Sequence, residues 1–325
     1  MLRIGILGAG HLGKTHLRIV AKCNFFELVG FYDPNKKNVD QLLEEQKYIA
    51  FDSPKKLIEA VDVVSIITPT ITHFEMAKLA LEAKKHVFIE KPIAITNQES
   101  NILINLASQN GLLGQVGHVE RFNPAFEAVR TSIKDPMFIE TNRLSEFNPR
   151  GTDVSVILDL MIHDIDIILS IVKSPIKRID ATGVAVISET SDICNAHISF
   201  ENGCVANLTA SRISLKKVRK TRFFQKDGYI SIDYLTQKVE VVKIKDVTDN
   251  IDDLSVLLTN AEGKKKQIYF ENPKINSHNA IEKELDHFSK CILTKKNPLI
   301  SLKDGARALE VANLIIQCII NKTGS

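Results

Sequence analysis

The stretch Ile6-Leu7-Gly8-Ala9-Gly10-His11-Leu12-Gly13 ends one apolar β-type run and opens a helical pattern. Its glycines stand in G-x-G-x-x-G spacing, and few backbones satisfy that demand. The first glycine permits a tight turn, the second lets backbone approach a pyrophosphate, and the third lets helix and strand pack closely. An anion then sits on the helix N-terminus, where unpaired amides and the dipole favour negative charge. Alone the spacing is weak, because glycines often punctuate turns for structural reasons. Here a strand precedes it, a helix follows, and Asp33 ends the next strand 20 residues past Gly13. Gly8, Gly10, His11, Leu12, Gly13 and Asp33 are therefore candidate dinucleotide contacts. Asp33 suits the ribose hydroxyls and repels a 2′-phosphate, which favours NAD; Lys36 and Lys37 nearby leave NADP open. Asp33 also has a plain reading, as the start of the Asp-Pro-Asn turn.

The same logic runs on to about residue 116. Apolar, β-branched runs at 2–7, 27–32, 62–67, 85–90 and 112–116 alternate with amphipathic helical patterns such as 11–23 and 72–85. Continuously apolar strands alternating with helices predict a parallel sheet covered on both faces. Past about 120 the rhythm changes. The pattern predicts a helix over 123–133, a strand over 136–147, a helix over 154–172, and alternating strands over 175–187, 192–200, 203–212, 218–226, 228–234 and 237–244. The Asn-Gly and Asp-Gly pairs at 202–203 and 227–228 suit hairpin turns. Helices are predicted over 277–294 and 302–321, and the lysine-rich 261–267 reads as a solvated hairpin tip. The expected fold is α/β: a doubly wound Rossmann domain over 1–120, then an α+β domain over 121–325 with a large, mostly antiparallel, open-faced sheet.

Composition narrows the class. At 325 residues, 44% hydrophobic and 25% charged, the chain carries material for two cores, and a net charge of +3 gives no support for a nucleic-acid binder. No stretch approaches a membrane span, and the start lacks a cleavage-site pattern. Five scattered cysteines form no C-x-x-C pair, so neither a disulfide framework nor a metal site is expected, and a reducing cytoplasm is the plain reading.

The helical segment Leu158-Asp-Leu-Met-Ile-His-Asp-Ile-Asp-Ile-Ile-Leu169 is too apolar to carry three acids and a histidine without reason. At about 100° per residue Asp159, His163 and Asp166 fall near 0°, 40° and −20°, one narrow stripe, while the apolar residues sweep the remaining arc. Asp164, near 140°, lies inside that arc and needs a partner. Such a stripe is often merely a solvated face. Beside a nicotinamide it has a better use. Taking hydride from a carbinol carbon also requires removing the hydroxyl proton, and an imidazole with a pKa near ~6.5 suits this. His163 is the candidate acid/base, Asp159 its orienter and a substrate-hydroxyl acceptor, and Asp166 a structural support from i+3. Lys91 lies just past the carboxyl end of a parallel strand, where open sheets bind ligands, and is a candidate stabiliser of a developing alkoxide. His118 and Arg121 follow the last parallel strand and suit nicotinamide or substrate, or for Arg121 a salt bridge. The tract 212–226 holds seven basic residues with Phe223 and Phe224. Its alternation reads as a strand with a solvated face; alternatively Arg212 and its neighbours meet substrate phosphates.

Thr68-Pro69, Glu90-Lys91-Pro92, "GHVERFNP" (117–124) and "LDLMIHDID" (158–166) stand in the order and at the places of the Gfo/Idh/MocA oxidoreductases, which this chain resembles along essentially its whole length. The resemblance implies a catalytic lysine in E-K-P and a D-x-x-x-H pair, here Lys91, Asp159 and His163, with Thr68, Pro69, His73, Glu90 and Lys91 lining the cofactor. Many members carry glycine where this chain has the larger Met161 and Ile162, which implies a differently shaped substrate pocket. NAD-dependent oxidation of a sugar or polyol hydroxyl is the activity implied, with the 3-hydroxyl of a UDP-N-acetylglucosamine-type nucleotide sugar as one substrate. The alternatives are reduction of a conjugated double bond, as in biliverdin-reductase-like relatives, and a non-catalytic NAD(H)-binding regulator. Family members commonly pair their open sheets, so a homodimer or homotetramer through the C-terminal sheet is expected.

Overall fold

A computed structural model of the chain describes residues 1–45, 48–148, 154–247, 256–259 and 261–323. It divides into two compact units, Met1–Val119 with Asn279–Val311, and Glu120–His278 with Ala312–Ser325. The second domain was expected to be one continuous segment over 121–325. Instead the helix Ala280–Thr294 belongs to the first unit. Gln115 Nε2 donates to Glu284 O at 3.1 Å and Ser289 Oγ to Phe25 O at 3.0 Å, while Leu285, Phe288 and Ile292 join the core around Phe26, Phe31 and Phe88. A 3.6-residue period shows that a helix has an apolar face but not which core receives it.

The first unit holds a parallel sheet in the order Phe26–Tyr32, Leu2–Leu7, Val63–Ile66, His86–Glu90, Gly114–Gly117. Residues 49–51 extend its edge: Phe31 N donates to Ile49 O and Phe51 N to Phe31 O, both at 2.9 Å. Counting this short edge, the order is that of a dinucleotide-binding sheet, 3-2-1-4-5-6. The central strand Val63–Ile66 is buried throughout, as expected for a strand covered on both faces. Thr96 and Glu99 form a capping box at the start of the helix Asn97–Gln109. Order reverses between Leu2–Leu7 and Val63–Ile66, and Gly8 and Thr68 follow the carboxyl ends of those two strands.

The second unit is built on nine strands in the order Val256–Thr259, Lys265–Glu271, Lys238–Asp246, Gly228–Asp233, Val218–Gln225, Phe138–Leu144, Val205–Ser211, Ile193–Phe200, Ile176–Val184. All neighbours are antiparallel except Phe138–Leu144 against Val205–Ser211. The first two strands of that order were not among those predicted; they flank the expected lysine-rich tip, which is shorter than 261–267 because Lys265 already lies in a strand. One face alternates inward, with Ile139, Ala196, Ile198, Ala206, Leu208, Phe223, Ile230 and Ile232 buried. The other carries polar cross-strand pairs, Asn195 with Thr209 and His197 with Asn207. Among the described residues no helix is long and apolar enough to cross a membrane.

Asp192, fully buried, opens the strand Ile193–Phe200. Its Oδ2 accepts the amides of Val186, Ile187 and Ser188 at 2.8, 2.7 and 2.9 Å. Burial pushes the carboxyl's pKa up, but these hydrogen bonds outweigh it and hold it far below the usual range. A depressed folded-state pKa stabilises the fold above the unfolded value of about 4 and ceases to do so as pH falls through the folded value. Asp192→Asn is therefore expected to lower the urea midpoint at pH 7 and to narrow the gap to wild type between pH 4 and pH 2. A variant whose deficit stays constant over that range would show that the charge is not what matters.

Candidate active site

The glycine loop has the shape its sequence requires. Gly8 sits at φ +95°, and a Cβ there would meet Ile67 O at 2.5 Å. A Cβ on Gly10, by contrast, would meet nothing within 4 Å. That opening lies at the N-terminus of the helix His11–Val20, which has no side-chain cap and no acid in its first turn, with His11 and Leu12 exposed. Its first amides are thus left for an anion. Across the switch point Thr68 Oγ1 is buried and has no hydrogen-bond partner. An open glycine, an uncapped helix start and an orphaned hydroxyl together fit the phosphates and polar groups of a dinucleotide.

Asp33 does more than either of its sequence readings supposed. Its Oδ1 accepts Asn35 N at 2.8 Å, which is the turn reading. Its Oδ2 accepts Ala9 N at 2.6 Å and so fastens the glycine loop to the end of the neighbouring strand. Asn38 Nδ2 donates to the same Oδ2 at 3.3 Å, and since a carboxylate has about four lone-pair sites, capacity for one ribose hydroxyl remains.

His73 does not stand where a cofactor contact would. It is buried, with Nδ1 2.7 Å from Pro92 O and Nε2 2.9 Å from Thr68 O. It pins the Thr68-Pro69 loop to the Glu90-Lys91-Pro92 loop; burial lowers its pKa, against the two carbonyls, which raise it. Glu90 is likewise turned inward. His16 Nε2 lies 3.5 Å from Glu90 Oε1, and Lys91 N donates to Glu90 Oε2 at 3.2 Å. Burial raises the Glu90 pKa, but His16 and Lys91 reverse this and hold it below its ordinary value. Glu90 thus orients the backbone that carries Lys91, which is half-buried at the strand's carboxyl end. His16 escaped the sequence reading, since nothing in its local pattern signals a partner 74 residues away.

The apolar helix starts with a widened turn. Ile157–Met161 is π-helical and Ile162–Ile171 is α-helical. Such turns concentrate at functional sites, and an extra residue per turn breaks the 100° spacing assumed above. Asp159 and His163 are both half-buried on the exposed side of the helix, as expected. Asp166 is not on that stripe. It is 1% exposed and takes Nε and Nη2 of Arg121 at 2.7 and 2.6 Å. Asp164 finds its partner in Arg143, whose Nε and Nη2 each donate at 2.9 Å, while Arg143 Nη1 donates to Glu120 Oε1 at 2.9 Å. Burial pulls the Arg143 pKa down, and the two carboxylates more than reverse this, raising it. Two bidentate arginine pairs therefore grip the residues on either side of Ile165, one turn from His163.

The three candidate substrate contacts are all buried. His118 is 1% exposed, with its amide on Val116 O. Arg121 has its guanidinium committed to Asp166. Arg212 is buried; its Nη2 donates to Val154 O at 2.6 Å and its Nε lies 3.9 Å from Asp192 Oδ1, so it anchors the start of the His163 helix. The other basic residues of this tract are largely paired along the strand, Lys217 with Glu146, Lys220 with Asp233 and Arg222 with Glu140.

A family model described as "Oxidoreductase family, NAD-binding Rossmann fold" matches residues 2–118, and the "GFO/IDH/MocA C-terminal domain" matches 107–231. The chain belongs to the Gfo/Idh/MocA family. It is an oxidoreductase with NAD as cofactor. UDP-N-acetylglucosamine 3-dehydrogenase of Acidithiobacillus ferrooxidans is 37% identical over 241 residues, 74% of this chain and 76% of that protein. A solved structure of that enzyme superposes with a TM-score of 0.87 at 31% identity, covering 98% of this chain and 97% of that one. The NAD(+)-dependent scyllo-inositol 2-dehydrogenase of Bacillus subtilis is 26% identical over 332 residues, 95% of this chain and 92% of that protein. Within this Gfo/Idh/MocA member, Lys91, Asp159 and His163 are each half-buried, whereas Asp164 and Asp166 are buried against Arg143 and Arg121.

Proposed function

We propose that this protein oxidises a secondary hydroxyl of a nucleotide sugar, with the 3-hydroxyl of a UDP-N-acetylglucosamine-type substrate as the target. The observation that carries this reading is the 37% identity to the Acidithiobacillus ferrooxidans 3-dehydrogenase over three-quarters of the chain, which well exceeds the 26% shared with the inositol enzyme.

When bound, NAD supplies the hydride acceptor. The chain's own residues do the rest. Thr68 Oγ1 and the amides after Gly10 hold the cofactor, and Asp33 takes the adenosine ribose. His163 accepts the hydroxyl proton as hydride leaves the carbinol carbon, and Lys91 stabilises the alkoxide that develops between those events. Asp159, one helical turn before His163, orients the imidazole and accepts a second substrate hydroxyl. The widened turn at Ile157–Met161 sets the spacing of that pair.

The protein acts in the cytoplasm as a homodimer or homotetramer that pairs the outer faces of the nine-stranded sheet. Support for the pairing comes from Phe138, Phe224 and Tyr229 on that face, with ring centroids 5.9 and 5.6 Å apart. An NAD-reduction assay across UDP-N-acetylglucosamine, UDP-glucose, myo-inositol and scyllo-inositol tests the substrate. The expected result is kcat/KM for UDP-N-acetylglucosamine at least about 100-fold above the inositols, a difference of roughly 2.7 kcal/mol. Preferred turnover of an inositol would overturn the nucleotide-sugar reading.

A further inference from the structure

Register places Arg219, on the strand Val218–Gln225, directly opposite Arg143 on Phe138–Leu144. Like charges facing each other across a strand pair are destabilising, so the arrangement calls for a reason. Arg143 is neutralised by Asp164 and Glu120. Arg219 is not. Its one ion pair among the described residues runs from Nη1 to Glu120 Oε1 at 3.7 Å, the same oxygen that Arg143 holds at 2.9 Å. Lys217, Lys220 and Arg222, its neighbours along the chain, each have a carboxylate of their own.

Position matters as much as charge. Arg219 alternates with the buried Thr221 and Phe223, so it belongs to the sheet face that packs on the His163 helix, and its side chain is 47% exposed at the end of that face. Glu120 and Arg143 link it to Asp164, the residue after His163. Burial and the charge of Arg143 lower its pKa, and the opposing pull of Glu120, Asp164 and Asp159 does not reverse this. A guanidinium has five donors in a planar fork that matches phosphate oxygens. Here those donors stand near the acid/base helix, share a single carboxylate and keep access to solvent.

We propose that Arg219 binds the phosphate charge of the substrate beside Asp159 and His163, and so separates phosphorylated sugars from neutral ones. This rests on the nucleotide-sugar reading above. In such a substrate only C2 lies between the anomeric carbon, which bears the diphosphate, and the C3 that is oxidised. An anion contact close to the acid/base pair is what that connectivity demands. Arg212, the phosphate contact expected from the sequence, is buried against Val154 and Asp192 and leaves this role to Arg219.

The test compares wild type, Arg219→Ala, Arg219→Gln and Arg219→Lys with UDP-N-acetylglucosamine, N-acetylglucosamine 1-phosphate and N-acetylglucosamine, and measures inhibition by UDP. For the alanine and glutamine variants, kcat/KM for UDP-N-acetylglucosamine is expected to fall about 10- to 100-fold relative to that for N-acetylglucosamine, chiefly through KM. The UDP inhibition constant should rise by a similar factor, and lysine should restore part of both. The 1-phosphate arm tells a contact to the sugar-proximal phosphate, which preserves the effect, from one to the distal phosphate, which abolishes it there while retaining it for UDP. KM for NAD and the melting temperature report folding. Equal losses for charged and neutral sugars, or none, in a wild-type background that oxidises UDP-N-acetylglucosamine would overturn the role of Arg219 alone. A wild type that neither oxidises UDP-N-acetylglucosamine nor binds UDP overturns the substrate reading and this assignment with it.

Discussion

His163→Ala is expected to lower kcat about 10²–10⁴-fold, the usual contribution of a positioned general acid/base, with NAD affinity retained. The loss should fall on kcat and kcat/KM alike, because proton removal is realised only in the transition state. It should also flatten the acidic limb of the kcat/KM pH profile. Lys91→Ala is expected to lose about 10²–10³-fold by removing the group that meets the developing alkoxide. On the proposed mechanism both residues act at one oxygen, so the two losses should be less than additive. Stopped-flow measurement of NADH formation, with NAD binding followed separately, checks each value. If both variants oxidised substrate like wild type while binding NAD, the acid/base scheme would be wrong. If only His163 were dispensable, reduction of a conjugated double bond would become the better reading.

Arg143→Met should destabilise the second unit by about 3–5 kcal/mol, the cost of leaving carboxylates buried without their counter-charge. Both Asp164 and Glu120 lose their principal partner in that variant. Arg143→Met combined with Asp164→Leu should be less destabilised than Arg143→Met alone, because it leaves one buried carboxylate, Glu120, without its principal partner instead of two. Urea unfolding of the three proteins measures this. Equal stability of Arg143→Met and wild type would mean that Asp164 is solvated or protonated at no cost, contrary to its burial. The double variant also reports on function, since Asp164 adjoins His163: restored stability with reduced kcat would show that the ion pair positions the imidazole as well as stabilising the helix.

Much of this was legible from residue order alone. The glycine spacing and the strand before it required the loop that is found, and Gly8 at positive φ with Gly10 open to solvent is the physical content of that motif. The apolar strands required a parallel sheet buried on both faces. Asp159 and His163 came from helical spacing and share an accessible side of their helix. Asp166 lies with His163 on the α-helical part Ile162–Ile171, about 60° round from it, and that angle is enough to turn it inward onto Arg121. The family resemblance puts His73 among the residues lining the cofactor, yet both its ring nitrogens face backbone carbonyls. Arg212 and Arg219 lie in one basic tract and look alike in sequence. They differ because Arg212 ends up on Val154 and Asp192, and Arg219 at the open end of a sheet face.

The sequence by itself determined the dinucleotide loop and the two fold classes, and it singled out Lys91, Asp159 and His163 as the candidates. These depend on short-range periodicity and on spacing within a few turns or strands, which local sterics and amphipathicity enforce. Only the tertiary structure decided which charges are structural and which are left accessible. Asp164 meets Arg143 across 21 residues, Asp166 meets Arg121 across 45, and the helix Ala280–Thr294 returns to a core begun at residue 2. A buried charge must find a counter-charge wherever the chain can bring one. That choice is made by packing between distant segments, on which local sequence pattern has no hold.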